Sequence, residues 1–130
     1  MKNILSIGIG GAMGTMARFA VHQIALSSGL GDRAFFAMLI NISGSFLLGL
    51  ALAYFAERVT KPEIKLGITT GFLGGYTSFS TLCKESIGFY LSDDLVSFSV
   101  YVAVSVCLGL SAAWAGMQAA KRLMRREDAE

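Results

Sequence analysis

Four stretches of the chain, residues 3–17, 34–56, 66–83 and 95–120, contain no Asp, Glu, Lys or Arg. A bilayer crossing needs about 20 mainly apolar residues, so the second and fourth stretches suffice as they stand. The first reaches that length if it continues through Arg18 to Ser27, and the third if it continues past Lys84 and Glu85. Composition agrees: 54% apolar residues, 15% charged residues and a mean hydropathy of +0.60 lie outside the soluble range. The expected fold is all-α and integral to the membrane. It is a single transmembrane domain over 1–130, with four helices at approximately 3–27, 34–56, 66–91 and 95–120.

The charges between the stretches set an orientation. With four crossings, Lys2, Arg58, Lys61, Lys65, Lys121, Arg122, Arg125 and Arg126 share one side, against Arg33 and Lys84 on the other. Lys and Arg concentrate on the cytoplasmic side, so both termini are expected in the cytoplasm and the chain in the plasma or inner membrane. A protein inserting in both orientations would balance these counts. The basic tail "KRLMRREDAE" suits membrane lipid phosphates, and no nucleic-acid partner is expected of it. Cys83 and Cys107 have no metal-ligand spacing and read as membrane-buried free thiols.

Polar atoms inside the apolar stretches narrow the possibilities. Gly8, Gly10 and Gly14 follow a loose G-x-G-x-x-x-G pattern. The long apolar blocks exclude a dinucleotide-binding domain, however, and Gly10 and Gly14 instead form a small face for close helix approach. In the second stretch Asn41, Gly44, Ser45, Leu48 and Gly49 share one side of a helix, a narrow stripe that must face protein or water. The fourth repeats this with Ser97, Tyr101, Ser105 and Gly109. The third carries "TTGFLGGYTSFST", with three glycines and seven hydroxyl residues in thirteen positions. Two readings are open there. Either the helix unwinds at Gly71, Gly74 and Gly75, freeing backbone groups for an ion, or the glycines form a packing groove and each hydroxyl bonds back to its own helix. Hydrolytic chemistry has no nucleophile with a base and an orienting acid nearby, so no enzyme is expected.

Three motifs, "GGAMGTMARF", "NISGSFLLG" and "GITTGFLGGYTSFST" followed by Glu85, resemble the small four-span fluoride channels of the CrcB or Fluc family over nearly the whole chain. The resemblance implies passive fluoride-selective conduction out of the cytoplasm and protection against fluoride toxicity. It also implies a broken third helix, an antiparallel dimer with pores between the subunits, and a structural sodium ion at the dimer centre. By the same resemblance the carbonyls of Gly74 and Thr77 hold the sodium. Asn41 donates to fluoride, with Ser80, Thr81, Tyr101 and Ser105 as further donors or supports, and Glu85 belongs to the same pathway. Phe79 presents its ring edge to the ion, Arg18 matches the first-span arginine, and Gly44 and Ser45 lie at the interface.

Three positions depart from the family pattern. Leu82 stands where a second phenylalanine is usual, and Ala37 and Gly109 where hydroxyl residues are usual. Together with the lopsided basic residues, this favours pairing with a paralogous subunit of opposite orientation over pairing with a second copy. The alternatives are a small secondary transporter, which should carry an intramembrane carboxylate, or a non-conducting structural subunit of a heterodimer.

Overall fold

The computed structural model describes residues 1–27, 29 and 32–127, with side chains through Arg125. The side chains of Arg126 and Glu127 and the last three residues therefore lie outside the described residues. All elements are helical: α1 (Lys2–Ser27), α2 (Arg33–Glu57), α3 (Pro62–Leu66), a π-helical segment (Gly67–Leu73), α4 (Gly74–Tyr76), α5 (Phe79–Leu91) and α6 (Leu95–Glu127). Among the described residues, α1, α2 and α6 are each long and apolar enough to cross a membrane.

Local chemistry explains several boundaries. The Asp32 carboxylate accepts from the Ala34 amide and caps α2. Pro62, which has no amide hydrogen to lose, opens α3 at a position where helices tolerate it. Asp94 accepts from the Ser97 amide at 2.9 Å at the start of α6. The Ser97 side chain and then its amide hold the Asp94 carboxyl below the usual carboxylate value.

The third apolar stretch is not one helix. It widens into the π segment through Gly67–Leu73, closes into α4, and then breaks at Thr77 and Ser78, whose extended backbone (φ −76°, ψ 151° and φ −148°, ψ 108°) leads into α5. The unwinding expected at Gly71, Gly74 and Gly75 is thus displaced a few residues onward. Gly74 keeps helical angles of −65° and −34°, and Gly71 is buried against α1.

Close packing accounts for those glycines. A Cβ on Gly14 would overlap the Phe72 carbonyl, and one on Gly10 the Gly67 carbonyl. From the other side, a Cβ on Gly71 would stand 2.8 Å from the Ile7 oxygen. The arm from Pro62 to Tyr76 therefore lies backbone against backbone on α1, as the small face of α1 predicts. A second seam joins α2 to α6, where Gly49 meets the Ala113 backbone and Gly116 the Phe46 carbonyl. Both polar stripes face protein as expected: Gly44 and Gly49 on α2 and Tyr101 and Ser105 on α6 are buried.

A methyl at Gly14 has nowhere to go, so Gly14→Ala is expected to destabilise the fold by about 1–3 kcal/mol, the usual cost of overpacking. At Gly8 a Cβ meets nothing within 4 Å, and Gly8→Ala should be neutral or slightly stabilising through helix propensity. Thermal unfolding in detergent separates the two; equal midpoints would contradict this packing.

Candidate functional site

The break sets Ser78 beside α2. Gly44 lets the helices approach, since a Cβ there would overlap the Thr77 methyl, and Asn41, one turn earlier, reaches the break with a short side chain. The Ser78 amide donates to Asn41 Oδ1 at 2.7 Å, and Asn41 Nδ2 donates to the Ser78 carbonyl at 3.2 Å. This reciprocal pair satisfies both backbone groups of Ser78 and fixes which way the amide faces. It occupies one of the two Nδ2 hydrogens and leaves the other for a ligand.

The Ser78 side chain organises the other flank. Its oxygen accepts from the Thr81 amide at 3.1 Å and from the Thr81 hydroxyl at 2.9 Å. Both lone pairs are then engaged, so its own hydrogen goes to Ser80 Oγ, 3.0 Å away. The Ser80 hydrogen at the end of this chain remains available, and Ser80 is exposed.

Asn41, Ser78 and Thr81 line a cavity of about 260 Å³ with Thr15, Ala37, Arg18, His22, Arg33, Lys84 and Glu85 among its other walls. Asn41 lies eight residues beyond Arg33, or about 12 Å along the helix axis at 1.5 Å per residue. The cavity thus runs from a charged helix end toward neutral donors. It is lined by two arginines, one lysine, the chain's sole histidine and one carboxylate, Glu85. A concave surface of one dominant sign raises the local concentration of the opposite ion, here an anion.

Of the residues singled out from sequence, Arg18, Asn41, Thr81 and Glu85 meet in this cavity. Phe79 does not line it and is 78% exposed at the start of α5. Tyr101 and Ser105 lie apart on α6, Tyr101 with its ring 5.6 Å from Phe89. Their hydroxyls are buried and have no hydrogen-bond partner among the described residues. That contrasts with Thr69, Thr77 and Ser86, which bond back to Lys65, Leu73 and Leu82 carbonyls at 2.8, 2.9 and 2.7 Å. Ser45 Oγ sits near Gly109 on the seam between α2 and α6. Sequence reasoning omitted Ser78, the hub of the break, although its hydroxyl three residues ahead of Thr81 is a helix-start signal. It also assigned no role here to Thr15, Arg33 and Lys84, which distant segments bring together.

The break also leaves acceptors. In a continuous helix the Ser78 and Thr81 amides would serve the Gly74 and Thr77 carbonyls; here Asn41 Oδ1 and Ser78 Oγ take them. Two carbonyls without their helical donors are the oxygen type that a hard monovalent cation prefers.

Asn41→Ala takes the partner from the Ser78 amide, while the Ser78 carbonyl keeps the Leu82 amide at 3.4 Å, and is expected to cost about 1–3 kcal/mol, the penalty for a buried unsatisfied group. Thr81→Val keeps the amide bond to Ser78 and should cost less. Thermal unfolding of the two variants tests this order.

A family model described as "CrcB-like protein, Camphor Resistance (CrcB)" matches residues 5–117. The chain is 38% identical over 126 residues to the fluoride-specific ion channel FluC of Geobacter sulfurreducens, covering 95% of this chain and 100% of the relative. It is 38% identical over 122 residues to the FluC of Chlorobaculum tepidum, covering 93% and 96%. With FluC 2 of Halalkalibacterium halodurans it shares 37% over 130 residues, covering 100% and 94%. The chain belongs to the CrcB family.

Proposed function

We propose that this chain is a subunit of a fluoride-selective channel that lets the ion leave the cytoplasm passively and so protects against fluoride toxicity. The observation that carries the reading is the cavity above the Asn41–Ser78 pair, a cationic mouth that leads to neutral amide and hydroxyl donors. Fluoride is small, strongly hydrated and a strong acceptor, so its path must replace water with donors without binding too tightly, and neutral groups in series do that better than a fixed lysine. The free Asn41 hydrogen, the Ser80 hydroxyl that Thr81 and Ser78 orient from behind, and the Tyr101 and Ser105 hydroxyls, which have no partner among the described residues, supply such donors. Glu85 sits beside the path, and Phe79 offers the positive edge of its ring to the ion. The names of the relatives support the same substrate.

In this reading the Pro62–Leu91 arm completes a fourth crossing, and the termini lie in the cytoplasm because most Lys and Arg are at that end. The cavity then opens to the outside. Two subunits pack antiparallel with their breaks facing. Gly74 and Thr77 carbonyls from each hold a structural sodium, whose charge neutralises the clustered oxygens. The partner is a paralogue of opposite orientation in preference to a second copy, given the charge bias and Ala37, Leu82 and Gly109. Ala37 contributes only a methyl to the cavity wall.

Fluoride efflux from liposomes, read by electrode with chloride as control, tests the reading. With an oppositely biased paralogue present, efflux selective for fluoride and indifferent to a proton gradient is expected, and Phe79→Ile should slow it at least about tenfold without shifting the unfolding midpoint. Efflux driven by a proton gradient would favour a secondary transporter. Silence with the paralogue present would overturn the channel reading, and efflux from this chain alone would overturn the preference for a heterodimer.

A further inference from the structure

The outer face of α6 changes character along its length. Cys107, Leu110, Trp114, Gln118, Lys121 and Arg125 recur at three- and four-residue intervals and so form one stripe. Leu110 is 70% exposed and Trp114 61% exposed. Gly116 and Ala120, on the opposite side, are buried. Apolar side chains therefore give way to the chain's sole tryptophan, then to the half-buried Gln118 amide, then to exposed cations. Tryptophan favours the bilayer boundary, and Lys121 stands seven residues beyond Trp114, about 10 Å along the axis, at the level of headgroups when Trp114 sits at the hydrocarbon edge.

Gln118, Lys121, Arg122 and Arg125 line a groove of about 220 Å³. All three cations are exposed, and among the described residues none forms an ion pair with a carboxylate. We infer that this end of α6 is a binding site for an anionic phospholipid, with the headgroup phosphate held by Lys121, Arg122 and Arg125 and the acyl chains lying along Trp114 and Leu110. Charge complementarity selects the occupant. Guanidinium groups bind phosphate oxygens in a fork, and basic residues at the cytoplasmic surface attract anionic lipid. A partner protein offering acidic side chains would not account for the exposed leucine and tryptophan that continue the stripe toward the hydrocarbon. The site rests on membrane insertion and is independent of whether fluoride is conducted.

Trp114 is its own reporter. The full-length chain would be reconstituted in phosphatidylcholine vesicles containing either brominated phosphatidylglycerol or brominated phosphatidylcholine at equal mole fraction, and quenching of tryptophan fluorescence measured. Quenching by the anionic lipid is expected to reflect about threefold or greater enrichment beside Trp114, lost when Lys121→Gln, Arg122→Gln and Arg125→Gln are combined. Equal quenching by the two lipids overturns the inference. Absence of quenching by either shows the face covered by protein and also overturns it. Excess inorganic phosphate erasing the preference would identify free phosphate as the ligand in place of lipid. The fluoride efflux assay run on the same vesicles keeps a failure of this site distinct from a failure of the channel reading.

Discussion

Backbone amides and carbonyls at membrane depth must find partners within the protein, because hydrocarbon offers none. In the proposed four-span arrangement the interruption at Thr77 and Ser78 is where that demand is sharpest, and the Asn41 side chain meets it by imitating a peptide group, accepting from the Ser78 amide and donating to the Ser78 carbonyl. Other features follow from keeping Asn41 within reach. Gly44 removes the side chain that would hold α2 away from Thr77, and Gly10 and Gly14 seat the arm before the break on α1. The α2–α6 seam at Gly49 and Gly116 backs α2 from the other side.

The break also sorts polarity. Diverting the Ser78 and Thr81 amides to side chains leaves the Gly74 and Thr77 carbonyls as acceptors, while the hydroxyl chain from Thr81 through Ser78 to Ser80 delivers a donor outward. Cation-type and anion-type groups thus arise within eight residues from one departure from helical geometry. Hydroxyls elsewhere divide in the same manner. Thr69, Thr77 and Ser86 are spent on their own helices, whereas Tyr101 and Ser105 are buried with no partner among the described residues. A buried hydroxyl without a partner is costly, which suits the donor role proposed for these two.

The ends of the molecule differ electrostatically. Arg18, Arg33 and Lys84 gather with Glu85 around the cavity at one end, and Lys121, Arg122 and Arg125 line an exposed groove at the other. The first group encloses a concavity and suits a small anion, while the second lies on an outward-facing stripe and suits a surface. Shape separates the two uses of similar charge.

The uncharged blocks and their hydropathy by themselves determined that the chain is helical and belongs in a membrane, because burying unpaired charge in hydrocarbon is too costly for another arrangement to compete. The small faces of α1 and α2 were legible for a similar reason: a three- and four-residue spacing fixes which side chains share a side, whatever the helix packs against. The position of the break was not legible. Glycine marks where a helix can widen or pack closely, but the sequence does not say which glycines will be pressed against α1 and so kept helical. That depended on Gly71 meeting the Ile7 backbone, and it moved the break to Thr77 and Ser78. Tertiary structure alone likewise brought Asn41 to Ser78, 37 residues apart in sequence, and gathered Arg18, Arg33 and Lys84 around one cavity. Periodicity records the face a side chain occupies; only packing between helices decides what that face meets.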